Sequence, residues 1–476
     1  MEIYDVAVIG SGIGGTLFSA LNQKKHKLIV FEKEPNLGGC ASTFKRFGGY
    51  YNAGATTFMG YEEGHIIKKM FDEVGYVPKL TKTSHGVRIV QGEKQVDRLQ
   101  DFDAFLTQMN VAYPNQHNEK FWRTLKEIDE KFWKLKKLYY AKHSFKGALK
   151  SVQSVAELLR HFKFDLFTTA PDFISNTLGD ISPEYQNFID AQLLITLQTN
   201  SKELSLLTMA LGLSYTFHAT YYVQGGMGEL IENLLKEVNV KRAQPIVLIS
   251  WKNGLYEIKS TKNTYYAKNI VLNSSIYDSA KLFEDKAIKS YYNKFSFSNQ
   301  SAFVLYLRIN SPVNFLHHYQ VVLKDLIPHS ISNAFFVSFS DINDTKLTQN
   351  GYSVTLSTHT KVSEWKDLST AEYKAKKEEL QNYLTQAFLD YFKEIKKEEI
   401  SQAFSATSNT FKRYIGRENC GGEALKLKNI FNIPSCTTPF KGLYNVGDTV
   451  FAGQGWAGVA LGVEVLNEEF NYSRIE

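Results

Sequence analysis

Hydrophobic spacing along the chain changes period several times, and each change marks an element. Tyr4 to Ile9 is a short continuous apolar run, as expected of a parallel strand buried on both faces. It breaks at Gly10-Ser11-Gly12-Ile13-Gly14-Gly15, and an apolar-periodic helix follows to about Gln23. Lys27 to Phe31 reads as a second strand, ending at Glu32. Helical spacing returns at 62–76, with Ile66, Ile67, Met70, Phe71 and Val74 on one face, and 86–99 read as strands. From 119 to 142, Phe121, Leu125, Ile128, Phe132, Leu135 and Tyr139 mark one helical face. Leu193 to Leu213 predicts more helix. A glycine turn at 225–228 opens a helix through Leu235, and strands follow at 245–249, 256–258 and 269–275. Residues 301–309, 334–340 and 352–358 alternate as an antiparallel sheet does. Ser369-Thr370-Ala371-Glu372 is a capping box, and its helix runs through Leu380, Leu384, Phe388 and Tyr391.

The first of these units carries chemistry. Strand, glycine turn, helix and strand form a βαβ start, with Glu32 placed 22 residues after Gly10. Gly10 permits the tight turn, and Gly12 lets backbone N–H groups approach a pyrophosphate. Gly14 or Gly15 lets the helix sit close to the strand. The helix N-terminus offers unpaired N–H groups to phosphate. The Glu32 carboxylate can accept hydrogen bonds from both ribose hydroxyls, so the unit predicts dinucleotide binding. Gly38 and Gly39 follow, then a hairpin over 43–52 and a further glycine turn. A nicotinamide cofactor does not need this second glycine element; a larger, enclosed FAD does. Near the far end, a strand runs into Gly447-Asp448, then a loop with Gly453-Gln454-Gly455 and a helix from about Trp456. The carboxylate suits ribityl hydroxyls, and the helix N-terminus suits negative charge on a reduced flavin ring. One elongated cofactor held by both motifs would draw the chain ends together.

Composition narrows the picture. A chain of 476 residues exceeds what one core usually serves, so two domains are expected. Hydrophobic content of 43% with 22% charged residues suits a soluble globular protein. The 14% aromatic content favours large apolar pockets or a membrane-facing surface. A net charge of +6 is too mild to argue for nucleic acid, and no nucleic-acid-binding module is present. Cys40, Cys420 and Cys436 show neither disulfide nor zinc spacing. His317-His318 lacks a third ligand at useful spacing, which predicts a surface or pocket pair and no metal. No apolar run is long enough to span a bilayer, and the first strand leaves no room for a signal peptide. The expectation is a cytoplasmic chain, or one attached peripherally to a membrane. Residues 120–163 hold twelve Lys/Arg against four Asp/Glu, with Trp122 and Trp133 among them. Such a stretch is either a membrane-surface helix or a solvated basic face.

VIGSGIGG with Glu32, GGCASTFKRFGGYYNAGAT, YYVQGGMGELIENLL, FKRYIGRENCGG and GLYNVGDTVFAGQGWAGVALG occur in that order. With them the chain resembles the phytoene desaturase superfamily of FAD-dependent carotenoid enzymes, nearest to carotenoid isomerases and cyanobacterial-type desaturases. The resemblance implies an α/β fold: a flavin-monooxygenase-like Rossmann domain from segments 1–78, 221–290 and 401–476, and a second α+β substrate domain from 79–220 and 291–400. It implies that Gly10, Gly12, Gly14, Gly15 and Glu32 hold the ADP half of FAD. Lys33, Gly38 and Gly39 would hold the ribose edge and pyrophosphate, and Ile246 the adenine through its backbone. Gly447, Asp448, Gly453, Gln454 and Gly455 would hold the ribityl chain and ring. It names no catalytic acid or base, since the flavin carries the chemistry. Cys40 stands where related flavoenzymes commonly carry arginine. Arg413 and Arg417 are candidates for facing the flavin or a polar substrate end, or for a surface or interdomain salt bridge. The implied activity is desaturation or cis–trans isomerisation of a carotenoid-like polyene or other isoprenoid drawn from a membrane. Alternatives are a retinol-saturase-like reductase, an amine- or protoporphyrinogen-type oxidase, and a non-catalytic isoprenoid carrier.

Overall fold

The computed structural model describes residues 2–135, 138–348, 350–419, 421–428 and 432–472; Lys136, Lys137 and Cys420 lie outside them. Two seven-stranded sheets organise the molecule. In the first the order is Val240–Lys241, Leu28–Phe31, Ile3–Ile9, Thr264–Leu272, Leu255–Ser260, Ile246–Lys252, with Leu443–Asn445 also paired to Thr264–Leu272. Its centre is parallel, and the last two strands form an antiparallel meander. The opening apolar run is buried on both faces, as its lack of alternation requires. Val6, Val8 and Val30 join a core with helices Ile13–Asn22, Ile66–Val74 and Gly455–Tyr472, while Ala7, Ile9 and Ile29 face the meander. This is a Rossmann-like α/β unit, closed by one strand and a helix from the far end of the chain.

The second sheet has the order Ile400–Ala406, Gln300–Ile309, Tyr352–Lys361, Ala334–Phe339, His318–Val322, Val87–Gln91, Lys94–Arg98. It is antiparallel except where His318–Val322 meets Val87–Gln91. The strands foreseen at 301–309, 334–340 and 352–358 are present. One face is apolar: Phe303, Leu305, Val337, Val354 and Leu356 pack on Leu380, Leu384 and Phe388 of helix Thr370–Tyr391. That helix starts at the capping box over Ser369 and Glu372. Alternation sends Val304, Phe336, Ser338, Thr355, Ser357 and His359 to the opposite face.

Three expectations need correction. The helix at 119–142 ends early, as Asn118–Trp133. Most of its aromatic face turns inward: Phe121, Trp122, Leu125 and Ile128 are buried in a core shared with Phe188, Leu193 and Met209, and Phe132 and Trp133 are half-buried. Leu193 to Leu213 is two helices, Pro183–Leu197 and Leu206–Ser214, because Gln198 turns left-handed at φ 58. Of the surface or pocket pair expected at His317-His318, the surface alternative fails: His318 is buried, and its ring lies 3.9 Å from that of His317. Burial pushes both imidazoles below the usual histidine range. Among the described residues no group of three metal-ligating side chains converges.

Exposed apolar surface lies on the next helix, Phe145–Phe162. It buries Gly147, Ser154 and Phe162, and exposes Phe145 (90%), Leu149 (54%), Val152 (65%), Val155 (54%) and Leu159 (41%). No helix among the described residues is long and apolar enough to cross a membrane.

Candidate functional site

A cavity of about 520 Å³ is lined by both halves of the molecule. Its lining includes Gly10, Gly12, Gly14, Glu32, Lys33, Gly38, Gly39 and Ile246. Gly447, Asp448, Gln454 and Gly455 line it too, so the two distant glycine motifs open on one space. Gly15 and Gly453 are not among the lining residues. A Cβ on Gly15 would fall 2.3 Å from the Gly10 carbonyl, so Gly15 serves helix–turn packing. Gly453 turns the last loop at φ 107.

The glycine turn is built against the far end of the chain. A Cβ on Gly14 would lie 2.8 Å from the Gly447 nitrogen and 2.8 Å from Asn273 Oδ1. One on Gly12 would lie 2.6 Å from Asn273 Nδ2. Only bare backbone fits, which leaves the N-terminus of helix Ile13–Asn22 open to the cavity. The chain ends therefore meet by direct contact as well as around a shared space. Asn273, at the end of strand Thr264–Leu272, floors both motifs and carries no signal in a local sequence reading.

Ser11 ties the acid to the turn. Its backbone N–H (3.0 Å) and hydroxyl (2.7 Å) donate to one Glu32 carboxylate oxygen, and the hydroxyl accepts from Gly38 N–H at 3.2 Å. The other Glu32 oxygen accepts from Glu34 N–H at 3.0 Å. Glu32 is buried and prealigned, with lone pairs left for ribose hydroxyls. Lys33 Nζ donates to the Arg413 carbonyl at 2.9 Å. Arg413 itself is exposed, its guanidinium over the Tyr414 ring, and does not line the cavity.

Arg417 does. It is buried, and its Nη2 pairs with the Asp448 carboxylate at 2.5 Å and lies 3.4 Å from Cys40 Sγ. A guanidinium from residue 417 thus stands beside the position that follows the second glycine pair. Gln454 is held in an amide chain: its Oε1 accepts from Gln198 Nε2 at 2.7 Å, its Nε2 donates to the Thr196 carbonyl at 3.1 Å, and Asn419 donates to Gln198. Gln198 and Asn419 both line the cavity. Asn419 sits within the FKRYIGRENCGG motif; Gln198 follows a helix end that hydrophobic spacing does not show.

The second sheet and its neighbours close the cavity with Thr56, Thr57, Val304, Phe336, Ser338, Thr355, Ser357 and His359. Ser338 donates to Thr56 at 2.8 Å. Burial pushes His359 down to about 4, so its imidazole is neutral at neutral pH. Outside the cavity, His218 bridges the two halves, with Nε2 at 2.5 Å from Asp129 and Nδ1 at 3.4 Å from Glu62. Burial alone would lower His218, but its two carboxylate partners outweigh that and raise it to about 9.

Residues 8–74 match the model of an NAD(P)-binding Rossmann-like domain. Over 496 aligned residues the chain is 23% identical to a chloroplastic prolycopene isomerase of Daucus carota, covering 96% of this chain and 78% of that protein. Over 237 residues it is 24% identical to a 4,4'-diapophytoene desaturase of Staphylococcus haemolyticus, covering 48% and 46%. An oxidoreductase of Methanosarcina mazei superposes with a TM-score of 0.62 at 19% identity, over 98% of this chain and all of that one, and so shares the fold. With its motifs in order and both glycine elements on one cavity, the chain fits the phytoene desaturase and carotenoid isomerase superfamily.

Proposed function

We propose that this enzyme binds FAD and isomerises or desaturates a polyene of the isoprenoid class. The observation that carries the reading is the single cavity, which joins two glycine motifs from opposite chain ends to a second sheet. A dinucleotide fits the residues present: a Cβ-free cradle at Gly12 and Gly14, a helix N-terminus, and a prealigned carboxylate. In this reading Gly10, Gly12, Gly14 and Gly15 shape the pyrophosphate turn, and Glu32 takes the ribose hydroxyls. Lys33, Gly38 and Gly39 border them, and Ile246 offers backbone to the adenine. Gly447, Asp448, Gly453, Gln454 and Gly455 hold the ribityl chain and ring, where Arg417 keeps Asp448 oriented. Bound FAD supplies a hydride acceptor or donor. The chain's own residues bind and orient; the second sheet walls off water and positions the substrate. Prolycopene isomerase and diapophytoene desaturase among the relatives support the polyene.

The test uses purified protein. A yellow protein whose spectrum bleaches with dithionite, and which converts a polyene anaerobically with pre-oxidised or pre-reduced FAD, supports the reading. Product mass then separates desaturation from isomerisation. A colourless protein that takes up no FAD on reconstitution sinks it.

A lipid surface is the proposed source of the substrate. Helix Phe145–Phe162 turns its small residues inward and its apolar stripe outward, and exposed Lys142, Lys146, Arg160 and Lys163 lie along or beside it. That combination suits an anionic bilayer. Leu149→Ser with Val152→Ser should weaken binding to anionic vesicles by about tenfold or more. Lys146→Gln or Arg160→Gln should each weaken it about fivefold, with the rest falling as salt rises. Vesicle binding untouched by all four changes, or an apolar stripe that instead holds a dimer of this chain, would refute the bilayer.

A further inference from the structure

Strand Tyr352–Lys361 sends three polar side chains, Thr355, Ser357 and His359, into the cavity. Their neighbours across the sheet explain why they stand alone. Ser357 lies between Val304 and Phe336, and His359 opposite Ala302. Thr355 lies between Tyr306 and Ser338, whose hydroxyls are already used on the Ala53 carbonyl and on Thr56. Among the described residues, Thr355, Ser357 and His359 make no side-chain hydrogen bond. Thr355 (8% exposed) and His359 (7%) are more than nine-tenths buried. Ser357 between them is half-buried, so the polar atoms of all three face the cavity rather than the core. Polar groups without protein partners in so enclosed a space are costly unless something in the cavity completes them.

We propose that Thr355, Ser357 and His359 form a hydrogen-bonding strip for a neutral oxygen function, hydroxyl or carbonyl, on the substrate. The enzyme then selects an oxygenated isoprenoid polyene over the bare hydrocarbon. This rests on the FAD-dependent polyene reading above and adds the substrate's polar end to it. A hydrocarbon would leave all three groups unpaired, and discrimination of that kind is strong because the penalty falls on the site. A neutral imidazole donates through one nitrogen and accepts through the other, so with two hydroxyls it can serve either a hydroxyl or a carbonyl. A carboxylate is a poorer fit, for the strip carries no cation. The charged lining residues Glu32, Lys33, Asp278, Lys281, Arg417 and Asp448 all come from other segments.

The test compares a polyene alcohol with the hydrocarbon that lacks only its hydroxyl. Both are titrated into FAD-loaded and apo protein, and binding is read by quenching of tryptophan fluorescence. The wild type should bind the alcohol about tenfold more tightly. Thr355→Val with Ser357→Ala, both near-isosteric, should remove most of that ratio by weakening the alcohol alone. His359→Phe should act in the same direction, and unchanged thermal melts would keep misfolding out of the comparison. Equal affinities in the wild type would overturn the strip. So would variants that lower FAD affinity while leaving the alcohol-to-hydrocarbon ratio intact, since the three side chains would then serve the cofactor. An alcohol preference lost in the variants, in a protein that takes up no FAD, would uphold the strip and sink the flavin reading instead.

Discussion

On the first-sheet side of the cavity, Glu32, Lys33, Arg417 and Gln454 are already engaged by the protein itself. Ser11 and Glu34 hold Glu32, the Arg413 carbonyl holds Lys33, Asp448 holds Arg417, and Gln198 with Thr196 holds Gln454. On the second-sheet side, Thr355, Ser357 and His359 reach the same space unpaired. The first wall is prealigned for a ligand of fixed shape, because prealigned groups lose little freedom on binding. The second wall has its polar groups in place but uncommitted, so what sits there decides whether they are satisfied. On the proposed reading, cofactor binding and substrate choice are then separable properties of one cavity, assigned to different walls.

The comparison breaks most severely at the seam of the first wall. Gly14→Val places a side chain 2.8 Å from the backbone nitrogen of Gly447, and backbone on both sides leaves little room to shift. The expected loss is about 3 kcal/mol or more of stability, with FAD uptake abolished. Thermal unfolding of the apo protein measures the first, and flavin absorbance the second. A variant with wild-type melting and flavin content would show that the two chain ends do not rely on that approach.

The joint between the walls comes next. Asp129, on a helix of the second half, and Glu62, just before helix Ile66–Val74, share His218. His218→Gln leaves the Asp129 carboxylate buried with a neutral partner, and should cost about 3 kcal/mol. The wild-type pH profile follows from the raised imidazolium, about 9 against an ordinary 6.5. Its contribution is fully present below pH 6.5 and lost as pH rises through 9, in total about 3 kcal/mol. Melting temperatures between pH 6 and 10 should therefore fall for the wild type and run flatter for the variant. Parallel profiles would remove His218 from the joint.

Legibility in the sequence divides along the same line as the two walls. The first wall was readable because strand, turn, helix and acid are contiguous, and their spacing is itself the geometry. Strands of the second wall were readable one by one from alternation, but not which residues they bring opposite each other. Ser357 between Val304 and Phe336 is a matter of register between distant segments. Asn273 and Gln198 escaped for a related reason, since each acts on residues far away in the chain. The two helices at 118–133 and 145–162 show a different limit. Both are amphipathic, and periodicity reports that two faces differ without saying which one is buried. Asn118–Trp133 buries its aromatic stripe, while Phe145–Phe162 buries its small residues. There a Cβ on Gly147 would stand 2.7 Å from Ala141 Cβ and 2.8 Å from Glu469 Oε1, and such close approach selects the small face for the inside.

The mildest change tests whether the first wall is as self-contained as it looks. Glu32→Ala removes the acceptor for Ser11 N–H and hydroxyl and for Glu34 N–H. Leaving such buried donors unmet should cost the apo protein about 1–3 kcal/mol, even with no cofactor present. If Glu32 also takes ribose hydroxyls, the FAD-loaded protein should lose more than the apo protein, because bound ligand adds stability in proportion to its affinity. The extra loss should be about 1.5–3 kcal/mol, or roughly a ten- to hundredfold weaker FAD dissociation constant. Melting wild type and variant with and without FAD gives both quantities from one set of measurements. Equal losses in the two forms would make Glu32 a scaffold for the glycine turn alone and leave the ribose to another group. A larger loss in the loaded form, with the strip variants Thr355→Val and Ser357→Ala showing no such difference, would assign cofactor and substrate to opposite walls.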